Sequence, residues 1–287
     1  MAALIELKAG DKIAFQGEPG AYSNLACRQV FPGLETMPCA TFEDAFQAVE
    51  TGAARLAMIP IENSVAGRVA DIHQLLPDSE LHIVGEHFLR VNHHLLAPRG
   101  ATLETLREVR SHVQALGQCR ERLRSLGLKP VSFADTAGAA KWVAEQNNPA
   151  YAAIASSLAG EIYGLQSLMS DLEDAEHNTT RFVIMSREPV TPDPQDGPTM
   201  MSFMFEVRNV PAALYKALGG FATNGINMTK LESYQIGGRF AATQFYAEIE
   251  GHPSERRVQL AMEELGFFTH RIHVFGTYPA HPFRRNP

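Results

Sequence analysis

Three polar residues in succession, Glu62, Asn63 and Ser64, stand directly after an apolar run that predicts a buried strand. Open α/β sheets bind their ligands at the carboxyl ends of the strands, so this position favours a binding site. A helix cap would explain Ser64 alone and would leave the other two unexplained. A functional and a structural interpretation of this segment therefore both stay open.

The segment HNTTRF, from His177 to Phe182, brings a second group of polar side chains to the start of a predicted strand. It contains Asn178, Thr180 and Arg181. Arg181 is the one fixed cation of these motifs, and its planar guanidinium suits a bidentate contact with a carboxylate. The segment therefore indicates a contact with an acidic group.

The segment GEPGAYS, from Gly17 to Ser23, follows a predicted strand and opens a helix. Its backbone N–H groups and the positive helix end can face an anion, and Tyr22 and Ser23 add hydroxyl donors. It is not a P-loop, because no Lys-Ser/Thr pair follows the glycines. A glycine-containing turn with a serine cap is the structural alternative.

Another strand-to-helix corner, SHVQALGQC, presents Ser111, His112 and Gln114. The structural alternative for His112 is a capping histidine or one that lies behind the site. The histidines of the run from Leu81 to Ala97 match no standard metal motif, and no GxSxG segment supports acyl transfer. The sequence therefore predicts no metal site.

Composition limits the possible classes of protein. The chain has 287 residues, of which 45% are hydrophobic and 20% charged, as in globular proteins of one to three domains. A formal net charge of −7 argues against a nucleic-acid partner. Three cysteines without CxxC spacing suit a reducing compartment. Neither a leader segment nor a run of about 18 apolar residues is visible, so we expect a cytoplasmic protein without a membrane partner.

The order of apolar runs predicts the domain organisation. Strand and helix patterns alternate up to Arg187, which predicts two α/β lobes with a cleft between them. The stretch 187–199 carries four prolines and a glycine among polar residues and predicts a linker. Beyond it the pattern changes to βαββαβ, which is the ferredoxin-like arrangement. Small domains of this kind commonly pair, so a homo-oligomer is expected.

Six segments together resemble the prephenate dehydratase family, in the family's order and spacing. They are GEPGAYS, IPIENSVAGRV, SHVQALGQC, DTAGAA, AAIASSLAGEIYGL and NTTRF. The resemblance implies a two-lobed α/β catalytic domain like the type II periplasmic binding proteins at 1–190, with the substrate between the lobes. It also implies a linker at 191–199, a ferredoxin-like βαββαβ ACT domain at 200–278, and a tail at 279–287.

The resemblance further implies conversion of prephenate to phenylpyruvate in L-phenylalanine biosynthesis. Aromatisation of the ring drives this reaction, so no cofactor is expected. Thr180 takes the key role by resemblance, as a hydrogen-bond partner of the leaving hydroxyl, with Glu62 or His112 as the candidate source of a relayed proton. The implied substrate contacts are Tyr22, Ser23, Asn63, Ser64, Ser111, Gln114, Asn178 and Arg181.

The ACT region departs from the pattern of phenylalanine-binding members. Ala212 replaces the usual glycine after Asn-x-Pro, and Tyr234 replaces the arginine of Glu-Ser-Arg-Pro. L-phenylalanine is still the expected effector, at an interface between copies in a dimer or a tetramer. The implied effector-binding residues are Asn209, Ala212, Ala213, Leu214, Glu232 and Ser233.

Three other interpretations remain open. An arogenate dehydratase would use the same motifs on a substrate with an amino group in place of the keto oxygen. A solute-binding protein would close on a small acid without chemistry, although no leader segment supports it. An amino-acid sensor would regulate a partner and would leave the motifs of the first domain unexplained.

Overall fold

The computed structural model describes residues 5–175, 177–208, 210–235 and 242–285. The chain forms two compact units. The larger contains Lys8–Ile72 and His87–Phe182, and the smaller contains the described residues of Met1–Leu7, His73–Glu86 and Val183–Pro287. The domain boundaries predicted at residues 190 and 199 stay a prediction, and the smaller unit also takes in His73–Glu86.

The first lobe of the larger unit is built on a mixed sheet with both parallel and antiparallel pairings. Its first strands are β1 (Lys12–Gln16), β2 (Glu35–Cys39), β3 (Leu56–Asn63) and β4 (Gly67–Arg68), and its helices are α1 (Tyr22–Val30), α2 (Phe42–Glu50) and α3 (Ala70–Leu75). Strand β1 pairs in parallel with β2 and β3, and β4 folds back antiparallel on β3. Helix α2 begins where it does because Thr41 and Asp44 form a reciprocal capping box.

Two further strands complete this sheet. They are β5 (His82–Arg90) and β11 (Thr179–Ser186), and the strand order is β2-β1-β3-β11-β5. The Ser64 backbone N–H donates to the Thr179 carbonyl at 2.9 Å, so the carboxyl end of β3 and the first residues of β11 lie together. This brings two of the predicted polar segments to one place.

The second lobe has its own sheet. Its strands are β6 (His94–Ala97), β7 (Glu108–Ser111), β8 (Lys129–Ser132), β9 (Tyr151–Ala155) and β10 (Gln166–Met169), and its helices are α4 (Val113–Gln118), α5 (Arg120–Ser125), α6 (Thr136–Gln146) and α7 (Ser157–Tyr163). The strand order is β10-β6-β9-β7-β8. Alanines of α6, β9 and α7 form much of one core, which lets these elements pack closely.

The glycine-containing loop of the first lobe packs against α7 of the second lobe. Gly20 has a φ of +93°, and a Cβ at this residue would lie 2.7 Å from the Ala159 Cα atom. The Ser156 hydroxyl donates to the Gly20 carbonyl at 2.6 Å, and the Tyr163 hydroxyl donates to the Pro19 carbonyl at 2.9 Å. Glycine is therefore required here both by the backbone conformation and by the close approach.

The substitution Gly20→Ala should lower the free energy of unfolding by about 3 kcal/mol, because it adds a left-handed non-glycine residue and a steric overlap. Gly33→Ala is the matched control, since nothing lies within 4 Å of its Cβ position. Urea unfolding of both variants measures the difference. Equal midpoints for the two variants would show that the Gly20 contact is unimportant.

The smaller unit contains an antiparallel sheet covered by two helices. Its elements are β12 (Thr199–Val207), α8 (Ala213–Thr223), β13 (Met228–Gln235), β14 (Ala242–Glu250), α9 (Arg256–Phe268) and β15 (Thr269–Pro279), with the strand order β13-β14-β12-β15. This is the βαββαβ ferredoxin-like order, and the predicted α/β fold class is confirmed. A core of phenylalanines that includes Phe203, Phe205, Phe221 and Phe245 fills the space between helices and sheet.

The chain's last described turn is anchored to this smaller unit by a buried ion pair. Arg284 makes a bidentate contact with Glu86, at 2.7 and 2.8 Å, and a further contact of 3.1 Å with Glu248. Both carboxylates are fully buried. Because a buried carboxylate is costly without a partner, this arginine holds the predicted tail in place.

Candidate active site

Asn63, at the end of β3, is held by every polar atom of its side chain. Its Oδ1 atom accepts hydrogen bonds from the backbone N–H groups of Val65, at 3.0 Å, and Ala66, at 2.8 Å. Its Nδ2 atom must then be the donor that meets Asn178 Oδ1 at 2.8 Å and Thr180 Oγ1 at 2.9 Å. The orientation of this amide is therefore fixed by the backbone.

The contact with Asn63 determines how the Thr180 hydroxyl can hydrogen-bond to a further group. Its oxygen accepts from Asn63, so its own proton remains to be donated to another group. Thr180 is partly exposed at the start of β11. The side chain is thus placed as a neutral hydrogen-bond donor.

The contacts continue from Asn178 into the second lobe. Asn178 Nδ2 donates to Gln118 Oε1 at 2.9 Å, the same oxygen lies 2.9 Å from His93 Nε2, and His93 Nδ1 lies 2.7 Å from the Tyr22 hydroxyl. We call this set the polar chain. Its members are Thr180, Asn63, Asn178, Gln118, His93 and Tyr22.

Burial sets the protonation states at the far end of the polar chain. His93 is 2% exposed, and desolvation lowers its pKa, so the imidazole is neutral at pH 7. Burial likewise raises the pKa of the Tyr22 phenol, with smaller contributions from Cys119 and Glu173. The six side chains of the polar chain are therefore all uncharged.

A cavity of about 390 Å³ lies beside the polar chain. Its lining includes Val65, Ala66, Gln114, Gln118, Glu173 and Asn178. Glu173 is 8% exposed, and its Oε2 atom accepts from the His93 backbone N–H at 2.8 Å. Its Oε1 atom has no hydrogen-bond partner among the described residues. The cavity is thus bordered by amides and by a buried carboxylate.

Glu62 and Arg181, two of the predicted site residues, pair with each other. Arg181 Nη1 donates to Glu62 Oε1 at 2.9 Å, and the arginine is only 3% exposed. Glu62 precedes Asn63 in β3, and Arg181 follows Thr180 in β11. Successive side chains of a strand point to opposite faces of the sheet. The ion pair therefore lies on the other face from Asn63 and Thr180, so the geometry does not favour a substrate clamp or a proton donor here.

Ser111 and His112 have structural partners. The Ser111 hydroxyl is buried and donates to the Ile154 carbonyl at 2.6 Å. His112 Nδ1 accepts from the Gln114 backbone N–H at 3.3 Å and so caps α4, which agrees with the structural alternative for this residue. Of the predicted residues in this segment, Gln114 is the one that lines the cavity.

Ser64 joins the turn after β3 to the segment before β11. Its hydroxyl donates to the His177 carbonyl at 2.6 Å and accepts from the Thr179 backbone N–H at 2.9 Å. It therefore helps to hold the two strands that carry Asn63 and Thr180. Ser23 is buried within α1.

The backbone amides of the glycine-containing loop are largely occupied. The N–H groups of Gly17, Gly20 and Ala21 donate to Cys39 O, Asn24 Oδ1 and Glu18 O. These three amides are not available to an anion, contrary to the expectation from the sequence. The loop contributes Tyr22 to the polar chain and otherwise packs against the second lobe.

The predicted effector residues are only partly described. Asn209 lies outside the described residues. Ala212 is the N-cap of α8 and has a φ of +62°, while Ala213 is buried and Leu214 is partly buried. Glu232 lies 3.5 Å from Lys230, and Ser233 is exposed. Their role in effector binding stays a prediction.

Gln118, His93 and Glu173 are members of the site that the sequence interpretation missed. Gln118 lies four residues after Gln114, so both belong to one face of α4, and this spacing could have found it. His93 belongs to the run of histidines that matches no standard metal motif, and its sequence position alone gives no sign of a role in the site. Within the described ranges, no group of three His, Cys, Asp or Glu residues is arranged to hold a metal ion. None of the described helices is long and apolar enough to cross a membrane.

Comparison with known proteins identifies the class. The family model described as prephenate dehydratase matches residues 13–190. The chain therefore belongs to the prephenate dehydratase family, a family of lyases.

Two curated relatives and one solved structure are informative. A bifunctional N-acyl-homoserine lactone acylase/prephenate dehydratase of Komagataeibacter europaeus is 53% identical, and the match covers 98% of that protein and 96% of this chain. Arogenate dehydratase 2 of Petunia hybrida is 39% identical, and the match covers 72% of that protein and 94% of this chain. The structure of prephenate dehydratase from Arthrobacter aurescens in complex with L-Phe has a TM-score of 0.86 at 28% identity, covering 94% of this chain and 90% of that one.

Proposed function

We propose that the chain is a prephenate dehydratase that converts prephenate to phenylpyruvate, carbon dioxide and water, in the cytoplasm. The observation that carries the proposal is the Thr180 hydroxyl, which the contact with Asn63 leaves as a donor at one end of the polar chain. The family match supports the reaction class. The cytoplasmic location rests on the sequence alone.

The reaction defines what the site must do. The bond from the ring to one carboxylate breaks, its electrons enter the ring, and the C–O bond to the ring hydroxyl breaks at the other end. The departing oxygen gains negative charge and takes up one proton to become water. A donor aimed at that oxygen lowers the barrier because its hydrogen bond strengthens as the charge develops.

We assign that donor to Thr180. A threonine hydroxyl is too weak an acid to supply the proton itself, so it polarises the C–O bond and water supplies the proton. The earlier candidates for a relayed proton are otherwise engaged, since Glu62 pairs with Arg181 and His112 caps a helix. Catalysis in this proposal therefore rests on oriented neutral donors.

Thr180→Val keeps the shape of the side chain and removes the hydroxyl. We expect kcat/KM for prephenate to fall by roughly 100- to 1,000-fold, the usual effect of losing one transition-state donor. Thr179→Val is the matched control, because the neighbouring threonine alternates to the other face. Phenylpyruvate absorbance in alkali gives the rate, and near-normal turnover by Thr180→Val would refute the assignment.

A second substrate, arogenate, has specific support. Arogenate carries an amino group where prephenate has a keto oxygen, and both Glu173 and Asp174 line the cavity. A buried carboxylate oxygen without a partner is a natural site for an ammonium group. The Petunia hybrida relative is named an arogenate dehydratase. We therefore propose that the same site also accepts arogenate.

Glu173→Gln tests this second substrate. Loss of the charge should lower kcat/KM for arogenate by roughly 10- to 100-fold, since hydrogen bonds between charged groups contribute about 1.5–3 kcal/mol, and should change the value for prephenate less than about threefold. Glu35→Gln, at an exposed ion pair with Lys12, is the control. A parallel loss on both substrates would contradict an ammonium contact at Glu173.

The Komagataeibacter relative is named for two activities, and we propose only the dehydratase activity for this chain. Burial raises the pKa of Cys27, Cys39 and Cys119, so none of them is an activated thiolate. Ser23 and Ser111 are buried as well. These residues give no support to an acylase nucleophile.

We further propose that residues 200–278 form an ACT domain that binds L-phenylalanine in a homo-oligomer, a dimer or a tetramer. The ferredoxin-like order supports the domain type, and the Arthrobacter aurescens structure, whose description includes L-Phe, supports the effector. Ala212 has the left-handed conformation that favours glycine, which explains why glycine is usual there in the resemblance described above.

L-phenylalanine should suppress turnover of prephenate by the unmodified protein. Ala212→Gly should lower the concentration for half-inhibition by roughly 3- to 10-fold, because it removes a methyl group where the backbone must approach the effector. Gly219→Ala is a control within α8, where nothing lies within 4 Å of the Cβ position. Turnover that is indifferent to L-phenylalanine in both proteins would overturn the effector proposal and leave the catalytic one intact.

A further inference from the structure

The direction of each hydrogen bond in the polar chain follows from its first member. The oxygen and nitrogen of a side-chain amide are nearly equal in size, so partners alone determine which way it points. The backbone N–H groups of Val65 and Ala66 fix Asn63 with its Nδ2 toward Asn178. Asn178 Oδ1 must then be the acceptor, and Asn178 Nδ2 must be the donor to Gln118 Oε1.

The same logic fixes the tautomer of His93. Gln118 Oε1 is an acceptor, so His93 Nε2, 2.9 Å away, must carry the hydrogen. In the neutral ring Nδ1 is then the lone-pair atom. The Tyr22 hydroxyl lies 2.7 Å from Nδ1 and 2.9 Å from the Asn92 carbonyl, and its one proton is shared between these two acceptors.

This arrangement leaves the NH₂ group of Gln118 free to donate hydrogen bonds. Its oxygen receives hydrogen bonds from both Asn178 and His93, so its NH₂ group is the polar group that remains for the cavity it lines. Thr180 adds a hydroxyl donor at the other end of the polar chain. Hydroxyl and amide donors of this kind suit an oxygen that gains negative charge.

We propose that His93 is a positioning residue of this site, whose Nε2–H group holds the Gln118 amide with its NH₂ group toward the substrate. The proposal rests on the proposed dehydratase function. Without His93, Asn178 is the one described residue whose hydrogen bond opposes a flip of the Gln118 amide. Loss of one such hydrogen bond, at about 1.4 kcal/mol, corresponds to roughly a tenfold loss of rate.

The variants His93→Asn and His93→Gln separate the ring's two nitrogens. Asparagine is too short to reach Gln118, whereas glutamine places an N–H group near the position of Nε2. We expect kcat for prephenate to fall about tenfold in His93→Asn with KM within about twofold, because the donor acts mainly in the transition state. His93→Gln should retain kcat within about threefold, and His94→Gln, whose Nδ1 contacts Ser167, is the control.

A double-mutant cycle asks whether His93 acts through Gln118. In the Gln118→Ala background, His93→Asn should cause no further fall in kcat, since the group that it positions is already absent. Losses that multiply would overturn the proposal, as would an equal loss of kcat in His93→Asn and His93→Gln. Thermal unfolding of each variant shows whether a loss of rate comes from misfolding.

The tautomer can be measured in the unmodified protein, so the proposal does not depend on variants that fold. Nitrogen-15 NMR should show His93 with Nε2 protonated and Nδ1 unprotonated at pH 7, with the ring signals assigned through the bonds that link the ring to the His93 backbone. The opposite tautomer or a doubly protonated ring would overturn the proposal. Absence of turnover with both prephenate and arogenate would instead refute the proposed function, and the tautomer result would still decide the state of His93.

Discussion

Two backbone N–H groups, those of Val65 and Ala66, determine the direction of every hydrogen bond in the polar chain. They occupy the oxygen of Asn63, and each later member can then satisfy its neighbour in one way only. A reversed amide would place two donors or two acceptors against each other in a poorly solvated region, and each lost hydrogen bond would cost about 1 kcal/mol or more. The turn between β3 and β4 thus specifies the state of groups as distant as Tyr22.

The polar chain also connects the packing of the two lobes with the chemistry of the site. Asn63 belongs to the sheet of the first lobe, whereas Gln118 is the last residue of α4 in the second lobe. A shift of one lobe against the other by an ångström would break these contacts, because hydrogen bonds weaken steeply with distance. The close approach of Gly20 to Ala159 helps to prevent that shift. A glycine that is distant from Thr180 therefore contributes to the geometry around it.

The sequence predicted the α/β fold and the polar segments, because both depend on local patterns. Asn63, Asn178 and Thr180 come together because β3 and β11 are neighbours and the end of β3 meets the start of β11. The sequence analysis did not predict the pairing of Glu62 with Arg181. The alternation of side chains along a strand already places Glu62 and Arg181 on the opposite face from Asn63 and Thr180. His93 and the contact of Gly20 with Ala159 could not be predicted, because each depends on residues far away in sequence. Local patterns mark where a strand ends but not which distant helix meets it.

A polar chain composed of neutral groups is consistent with the proposed reaction. Aromatisation of the ring supplies the driving force, so a strong acid is not required to pull the hydroxyl away. A charged acid would need its own stabilisation in a partly buried site, whereas amides and hydroxyls stabilise developing charge without a change in protonation state. Arg181 is paired with Glu62, so the carboxylates of the substrate would be held by amide and hydroxyl donors. The orientation of these donors, rather than their acidity, is then the property that the fold must provide, and orientation is what the contacts from Asn63 to His93 fix.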